Sequence, residues 1–117
     1  GLHSPIDQTI AELNALSPIK DRTRLIIGDI LEANLQYSGS WPYWEPDWKG
    51  DSILMSFDPV AHDTVGMQIL EQLQTENDAA LSSYLRDKAV SYLKIGAELG
   101  LGADQADNMD VVEIKLG

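Results

Sequence analysis

The residues best suited to chemistry lie where an apolar run ends and a helix is expected to begin. Asp58 follows the apolar run 53–57 and precedes Pro59, and His62 and Asp63 come within the next turn and a half of helix. Carboxylate oxygens and imidazole nitrogens bind divalent cations, and the same groups act as general acids and bases. This segment therefore predicts a cation or small-ligand site.

Asp29 is a further candidate, because it follows the short apolar run 25–27 much as Asp58 follows its own run. If the two runs are parallel strands, both aspartates lie at the carboxyl edge of one sheet, where open α/β folds bind ligands. The predicted metal site is Asp29, Asp58, His62 and Asp63. In an enzyme, Asp58 and Asp63 would bind a cation or substrate and His62 would transfer a proton, but the sequence leaves enzymatic activity open.

These residues also have purely structural interpretations. An aspartate before a proline is typical of a helix N-cap, so Asp58 could stabilise the fold by about 1 kcal/mol without any other role. A histidine near a helix start, such as His62, is often a surface residue. The spacing of these side chains matches no established metal-binding motif.

The segment 37–50 has an unusual composition, with all three tryptophans, two tyrosines and two prolines. Its prolines and glycines argue against regular structure, and a long loop in a small domain is often functional. One interpretation is a lid that buries the end of the sheet. The other is that Trp41, Tyr43, Trp44 and Trp48 bind a ligand by stacking on a planar or sugar-like group.

The elements that would position these residues follow from apolar periodicity and from breakers. Ser4 is the expected N-cap of the first helix, Pro18 ends that helix, and Gly100 and Gly102 end the last one in the left-handed conformation. Gly96, within the last helix, is expected to mark a close packing contact. Expected helices span 5–16, 30–36, 59–73 and 80–99, and expected strands span 25–27, 52–57 and 111–116.

This order of elements predicts a single α/β domain over 1–117. Its sheet would be small, partly parallel, three- to four-stranded and covered by helices. The run 25–27 is continuous and β-branched, which is typical of a strand buried on both faces, whereas 111–116 alternates like an edge strand. So thin a sheet suggests either a fragment of a larger domain or an oligomer that completes it.

Charge and composition narrow the range of partners. The formal net charge of -11 repels nucleic acid and anionic lipid, so neither nucleic acid nor a membrane is an expected partner. The chain has no cysteine and therefore no iron–sulfur ligands, which slightly favours a cytoplasmic compartment. The remaining expected partners are a small molecule, a divalent cation, a second copy of the chain, or an upstream region of the same protein.

Three stretches, 53–66, 91–102 and 111–114, resemble the C-terminal part of a bacterial and archaeal family known as domain of unknown function 362. The element Asp-Pro-Val-Ala-x-Asp, Asp58 to Asp63 in this chain, is the most specific part, and the resemblance runs from about Leu25 to the end of the chain. It implies that this chain is the C-terminal portion of a longer protein. The family has no agreed activity, although some longer members carry ferredoxin-like segments for iron–sulfur clusters.

The chain also departs from that family. His62 replaces a residue that is usually apolar, and the glycine-rich turn expected after Asp29 is absent. Three hypotheses thus remain: a cation or small-ligand site beneath an aromatic loop; a noncatalytic binding or assembly module that uses the aromatic loop or the edge strand 111–116; and an accessory part of an iron–sulfur redox protein.

Overall fold

The structure is a computed structural model that describes residues 5–35, 46, 48–77 and 83–116. Two strands and four α-helices account for most of these described residues. In chain order they are α1 (Ile6–Ala15), α2 (Ser17–Lys20), β1 (Ile26–Ala33), β2 (Trp48–Ser56), α3 (Pro59–Glu76), α4 (Ser83–Glu98) and a 3-10 turn at Ala106–Asn108.

β1 and β2 form an antiparallel two-stranded ribbon. Ile26 pairs with Ser56 at one end and Ala33 pairs with Trp48 at the other. The predicted partly parallel sheet of three to four strands is therefore wrong for the described residues, although helices and strands are both present. The physical reason is that residues 30–33, expected to begin a crossover helix, extend β1 and pair back along β2.

Only one face of the ribbon is covered. Gly28 and Leu54 pair on the inner face, which packs against α3, whereas Ile27 and Met55 pair on the outer face, where each side chain is 60% exposed. The prediction that 25–27 is buried on both faces is wrong. A continuous apolar run is typical of a fully buried strand, but in this chain its outward side chains face solvent.

The predicted helices 5–16, 59–73 and 80–99 are confirmed with shifted bounds, whereas the helix predicted over 30–36 is wrong, because residues 30–33 belong to β1. The N-cap of α1 is Pro5 rather than Ser4, which lies outside the described residues. α1 ends at Ala15 with Leu16 as its C-cap, and Ser17 and Pro18 begin α2. α4 packs against both α1 and α3. Gly96 is buried where a Cβ would lie 3.0 Å from Val60 Cγ2, so the predicted close contact is confirmed.

The prediction of how α4 ends is confirmed in part. Gly100 has a φ of 70°, which confirms the left-handed helix stop. Gly102 does not share that conformation. It is required for another reason, since a Cβ there would collide with the Asp58 carboxylate.

The C-terminal segment departs from the prediction. Residues 109–116 contain no strand, and Val111, Val112, Ile114 and Leu116 are all exposed. A segment with an alternating pattern becomes a strand only when a neighbouring strand offers free backbone N–H and C=O groups. This segment forms no hydrogen-bonded ladder with β2. No helix within the described ranges has the length and apolar character needed to cross a membrane.

Candidate functional site

The structure joins two of the predicted site residues to a third that the sequence did not single out. His62 Nδ1 lies 2.9 Å from Asp63 Oδ1, and the Tyr92 hydroxyl donates to Asp63 Oδ2 at 3.0 Å. A carboxylate only accepts hydrogen bonds, so the His62 Nδ1 carries the proton of this contact. Asp63 on α3 is thereby held from both sides, by its neighbour and by α4.

The position of His62 depends on Gly28. A Cβ at Gly28 would lie 2.6 Å from both Cε1 and Nε2 of His62, so the imidazole rests directly on the β1 backbone. The His62 side chain is 11% exposed, and its Nε2 is buried without a hydrogen-bond partner. The ring therefore positions Asp63 rather than presenting a nitrogen to solvent.

Tyr92 and Lys20 are site residues that the sequence did not single out, and Tyr92 is the one that contacts Asp63. Its position on the apolar side of α4 indicated a core role, whereas its hydroxyl needs a polar partner once the ring is half-buried. Burial, and then the negative charge and hydrogen bond of Asp63, raise the pKa of Tyr92 well above its ordinary value. Tyr92 therefore stays protonated and donates to Asp63. A tyrosine among apolar helix positions was the available signal.

Asp63 and Tyr92 line a cavity of about 400 Å³ between α1, α4 and the start of α3. This volume lies in the range of small-molecule sites, which are mostly apolar with a few polar groups. The apolar part of the lining is contributed by every element around the cavity. It consists of Ile10, Ala11, Ile26, Phe57, Pro59, Val60, Gly96 and Leu101.

The polar part of this lining is small and includes both signs of charge. Among the described lining residues, Lys20 is the one cation and Asp63 the one anion, and Asn14, Thr23 and Tyr92 are uncharged. Lys20 Nζ donates to the Leu99 carbonyl at 3.4 Å, which leaves further N–H groups for another acceptor. Asp63 is 47% exposed and has acceptor capacity beyond its two contacts.

A second cavity, of about 410 Å³, lies on the other side of the Asp63–Tyr92 pair. It opens between the inner face of β1, α3 and α4, and both Asp63 and Tyr92 line it as well. Apolar side chains such as Met67 and Leu70 dominate its walls. The Asp63–Tyr92 hydrogen bond is thus a polar partition between two apolar spaces.

Asp58 does not join this cluster, because backbone amides occupy its carboxylate. Its Oδ1 accepts from the Ala61 amide and its Oδ2 accepts from the Ala103 amide, each at 2.8 Å. The first contact caps α3, and the second ties the segment after α4 to the same point. Asp58 is therefore an N-cap and a clamp between two parts of the chain.

Asp29 lies apart from Asp58, and the premise that two parallel strands share an edge is wrong. Asp29 pairs with Ile53 in the middle of the ribbon, its Oδ1 accepts from the Leu31 amide at 2.7 Å, and the residue is exposed. Over the described part of the chain, no group of three or more acidic or histidine side chains is arranged to hold a metal ion. The cation site stays a prediction that no contact supports.

The aromatic ligand site is only partly described. Trp41, Tyr43 and Trp44 lie outside the described residues. Trp48 belongs to β2 rather than to a loop, because it pairs with Ala33 at the end of the ribbon. The loop predicted over 37–50 is therefore wrong at 48–50.

Comparison with known proteins gives no relative from which to transfer a role: no protein-family model, no curated protein and no solved structure matches this chain. The resemblance noted in the sequence stays a prediction.

Proposed function

We propose that this chain is a binding domain for a small zwitterionic molecule with an apolar body, such as an amino acid with a branched aliphatic side chain. The observation that carries the proposal is the charged pair Lys20 and Asp63 in the lining of an otherwise largely apolar cavity of about 400 Å³. The ammonium group of such a ligand pairs with Asp63, its carboxylate pairs with Lys20, and its side chain contacts Ile10, Val60 and Leu101.

Charge balance favours a zwitterion over a simple ion. A purely anionic ligand would meet Asp63 and the overall charge of -11, and a purely cationic ligand would meet Lys20. A neutral apolar ligand would use neither the remaining N–H groups of Lys20 nor the remaining acceptor capacity of Asp63. One charge of each sign satisfies both side chains.

The arrangement of Asp63 supports binding rather than reaction. Tyr92 and His62 fix both carboxylate oxygens, and the buried Nε2 of His62 has no access to a substrate proton. Geometry of this kind is preorganised, so that little side-chain freedom is lost on binding. The function is therefore recognition without a chemical step.

Isothermal titration calorimetry with three related compounds tests this proposal. Leucine has both charges, 3-methylbutylamine lacks the carboxylate, and 4-methylpentanoate lacks the ammonium. We expect leucine to bind most tightly, and we expect the loss of either charge to weaken binding roughly tenfold or more, the value of a charged hydrogen bond.

Two variants assign each charge to its partner. In Lys20→Met, leucine should bind no better than the amine, and in Asp63→Asn it should bind no better than the acid. Lys115→Met and Asp107→Asn change exposed charges outside the cavity and should leave all three affinities unchanged. The proposal fails if leucine does not bind, or if the cavity variants bind it as the parent chain does.

A further inference from the structure

Within the described ranges, the outer face of the ribbon carries the largest group of exposed apolar side chains. We define this face as Asp29 together with the outward apolar side chains that alternate along β1 and β2, including those just outside the strand ends. Its exposed apolar members are Leu25, Ile27, Leu31, Ile53, Met55 and Phe57. Phe57 is 84% exposed and Ile53 is 57% exposed, so more than half of the surface of each residue is accessible to solvent.

From this face we infer that the chain forms a symmetric dimer, in which two ribbons pack outer face to outer face. The six side chains leave roughly 700 Å² of surface open per chain, close to the ~800 Å² that each partner buries in a stable interface. A contiguous apolar patch of this size exceeds what a typical monomer exposes.

The chemistry of the face favours a second copy over a charged partner. Its charged neighbours are confined to one end, where Asp29, Glu32, Lys49 and Asp51 border a shallow pocket with Leu31, so the apolar part around Ile27 and Met55 offers no row of charges for a basic protein to pair with. A face that buries apolar side chains against their own symmetry mates is self-complementary, as a two-fold interface requires. Two sheets packed in this way interdigitate their side chains across about 10 Å.

The centre of the face lies at the directly paired residues Ile27 and Met55. A two-fold axis between this pair and the neighbouring Leu25 and Phe57 keeps apolar side chains at the centre and leaves Asp29, with its pairing partner Ile53, nearer the rim. The apolar surface also continues into a groove between β2 and the segment 108–114, which Val111, Val112 and Ile114 line from the far side.

Net charge determines how the dimer should respond to salt. Two chains of formal charge -11 repel each other, whereas the interface itself contains few charges. Salt screens the repulsion and leaves apolar burial intact, so dimerisation should strengthen as ionic strength rises. An interface built on ion pairs with a basic partner would weaken instead.

Light scattering coupled to size-exclusion chromatography of the whole chain tests the inference. We expect a mass twice the 12.9 kDa of one chain at high salt, with dissociation on dilution at low salt. Met55→Lys should raise the dimer dissociation constant at least tenfold. Val90→Lys, a matched change of an exposed apolar residue on α4, should leave it unchanged, and circular dichroism confirms that both variants fold.

The absence of cysteine allows a second readout that does not depend on a disruptive variant. Ile27→Cys, close to the proposed axis, should form a disulfide-linked dimer under mild oxidation, and Val90→Cys should not. A monomeric mass for the parent chain at every concentration and salt level would overturn the inference. So would a Met55→Lys variant that dimerises like the parent.

Discussion

At the scale of single residues, the His62 ring packs directly on the backbone of Gly28. The ring leaves no room for a side chain at this position of β1, and Asp63 depends on the same ring for one of its two hydrogen bonds. A glycine within a strand often marks such a close approach. The backbone of β1 at Gly28 therefore positions His62, and His62 in turn holds Asp63.

Gly28→Ala tests this dependence. We expect it to destabilise the fold by about 1–3 kcal/mol, because the added methyl must displace His62 or the strand. Gly66→Ala is the matched control: its Cβ would lie 3.9 Å from Leu54 Cδ2, an ordinary contact, and alanine is favoured over glycine within a helix. Urea denaturation of both variants gives the comparison. Equal effects of the two substitutions would contradict the proposed packing of His62.

Tyr92 provides a prediction at alkaline pH. Its folded-state pKa is raised above the ordinary value of 10.0, so the stability that it contributes is full below pH 10.0 and is lost as pH rises further. We expect Tyr92→Phe to cost about 1 kcal/mol at neutral pH through the lost hydrogen bond. The difference in unfolding free energy between parent and variant should shrink above pH 10.0, and a constant difference would contradict the Tyr92–Asp63 contact.

At the scale of elements, α1 is held against α4 by a polar cluster at Asp7. Lys88 Nζ donates to Asp7 Oδ1 at 3.0 Å, and the Ser91 hydroxyl donates to Asp7 Oδ2 at 2.7 Å. The hydrogen bond from Ser91, and then that from Lys88, lowers the pKa of Asp7 from 3.8 to about 2. Both helices line the proposed ligand cavity, α1 through Ile10 and Ala11 and α4 through Tyr92 and Gly96.

The lowered pKa predicts acid sensitivity. The stability contributed by ionised Asp7 is present above pH 3.8 and is lost as pH falls toward about 2. In Asp7→Asn we expect a lower unfolding free energy at neutral pH and a flatter decline over that acidic interval. Denaturant titrations across the interval measure this, with the exposed Asp107→Asn as control. An identical pH profile for Asp7→Asn and the parent chain would contradict the cluster.

The helices and strands also show which parts of this fold could be predicted from the sequence. Apolar spacing and the Asp58-Pro59 start were enough to predict α1, α3 and α4, because these signals are local. Strand direction was not predictable, since it depends on whether the chain after Asp29 turns back along β2 or crosses over. The pattern of residues 30–33 predicted a helix, and a helix between the two strands favours a parallel pair, whereas these residues extend β1.

The candidate site was predictable in part for the same reason. His62 and Asp63 were identified because they are adjacent at a helix start, whereas Tyr92 and Lys20 join them only through packing of α4 and α2. Of the two interpretations of Asp58, as a cation ligand and as a helix N-cap, the second is confirmed. Its second contact, with the amide of Ala103, involves a segment far along the chain that no local pattern indicates.

At the scale of the whole molecule, the core is small. The buried apolar residues among those described are Ala11, Leu35, Val60 and Leu93, and none of the large side chains in those ranges is completely enclosed. The radius of gyration is 15.0 Å, above the roughly 13.5 Å expected for a compact domain of this length. Much apolar surface therefore remains for a ligand in the cavity and for a partner on the ribbon.

These two uses of apolar surface are separable, because the cavity and the outer face share only Phe57 among their main residues. Saturating leucine should raise the melting temperature of the chain and of Met55→Lys by similar amounts, since a ligand stabilises the state that binds it. Differential scanning fluorimetry measures both. A stabilisation that disappears in Met55→Lys would show that binding requires the dimer.

The most direct test of the central claim is the position of the ligand itself. Intermolecular nuclear Overhauser effects should connect the methyl groups of bound leucine with the methyl groups of Ile10, Val60 and Leu101, which surround the cavity beside Asp63. Contacts with Met67 and Leu70 instead, on the other side of the Asp63–Tyr92 partition, or no contacts at saturating leucine, would contradict it.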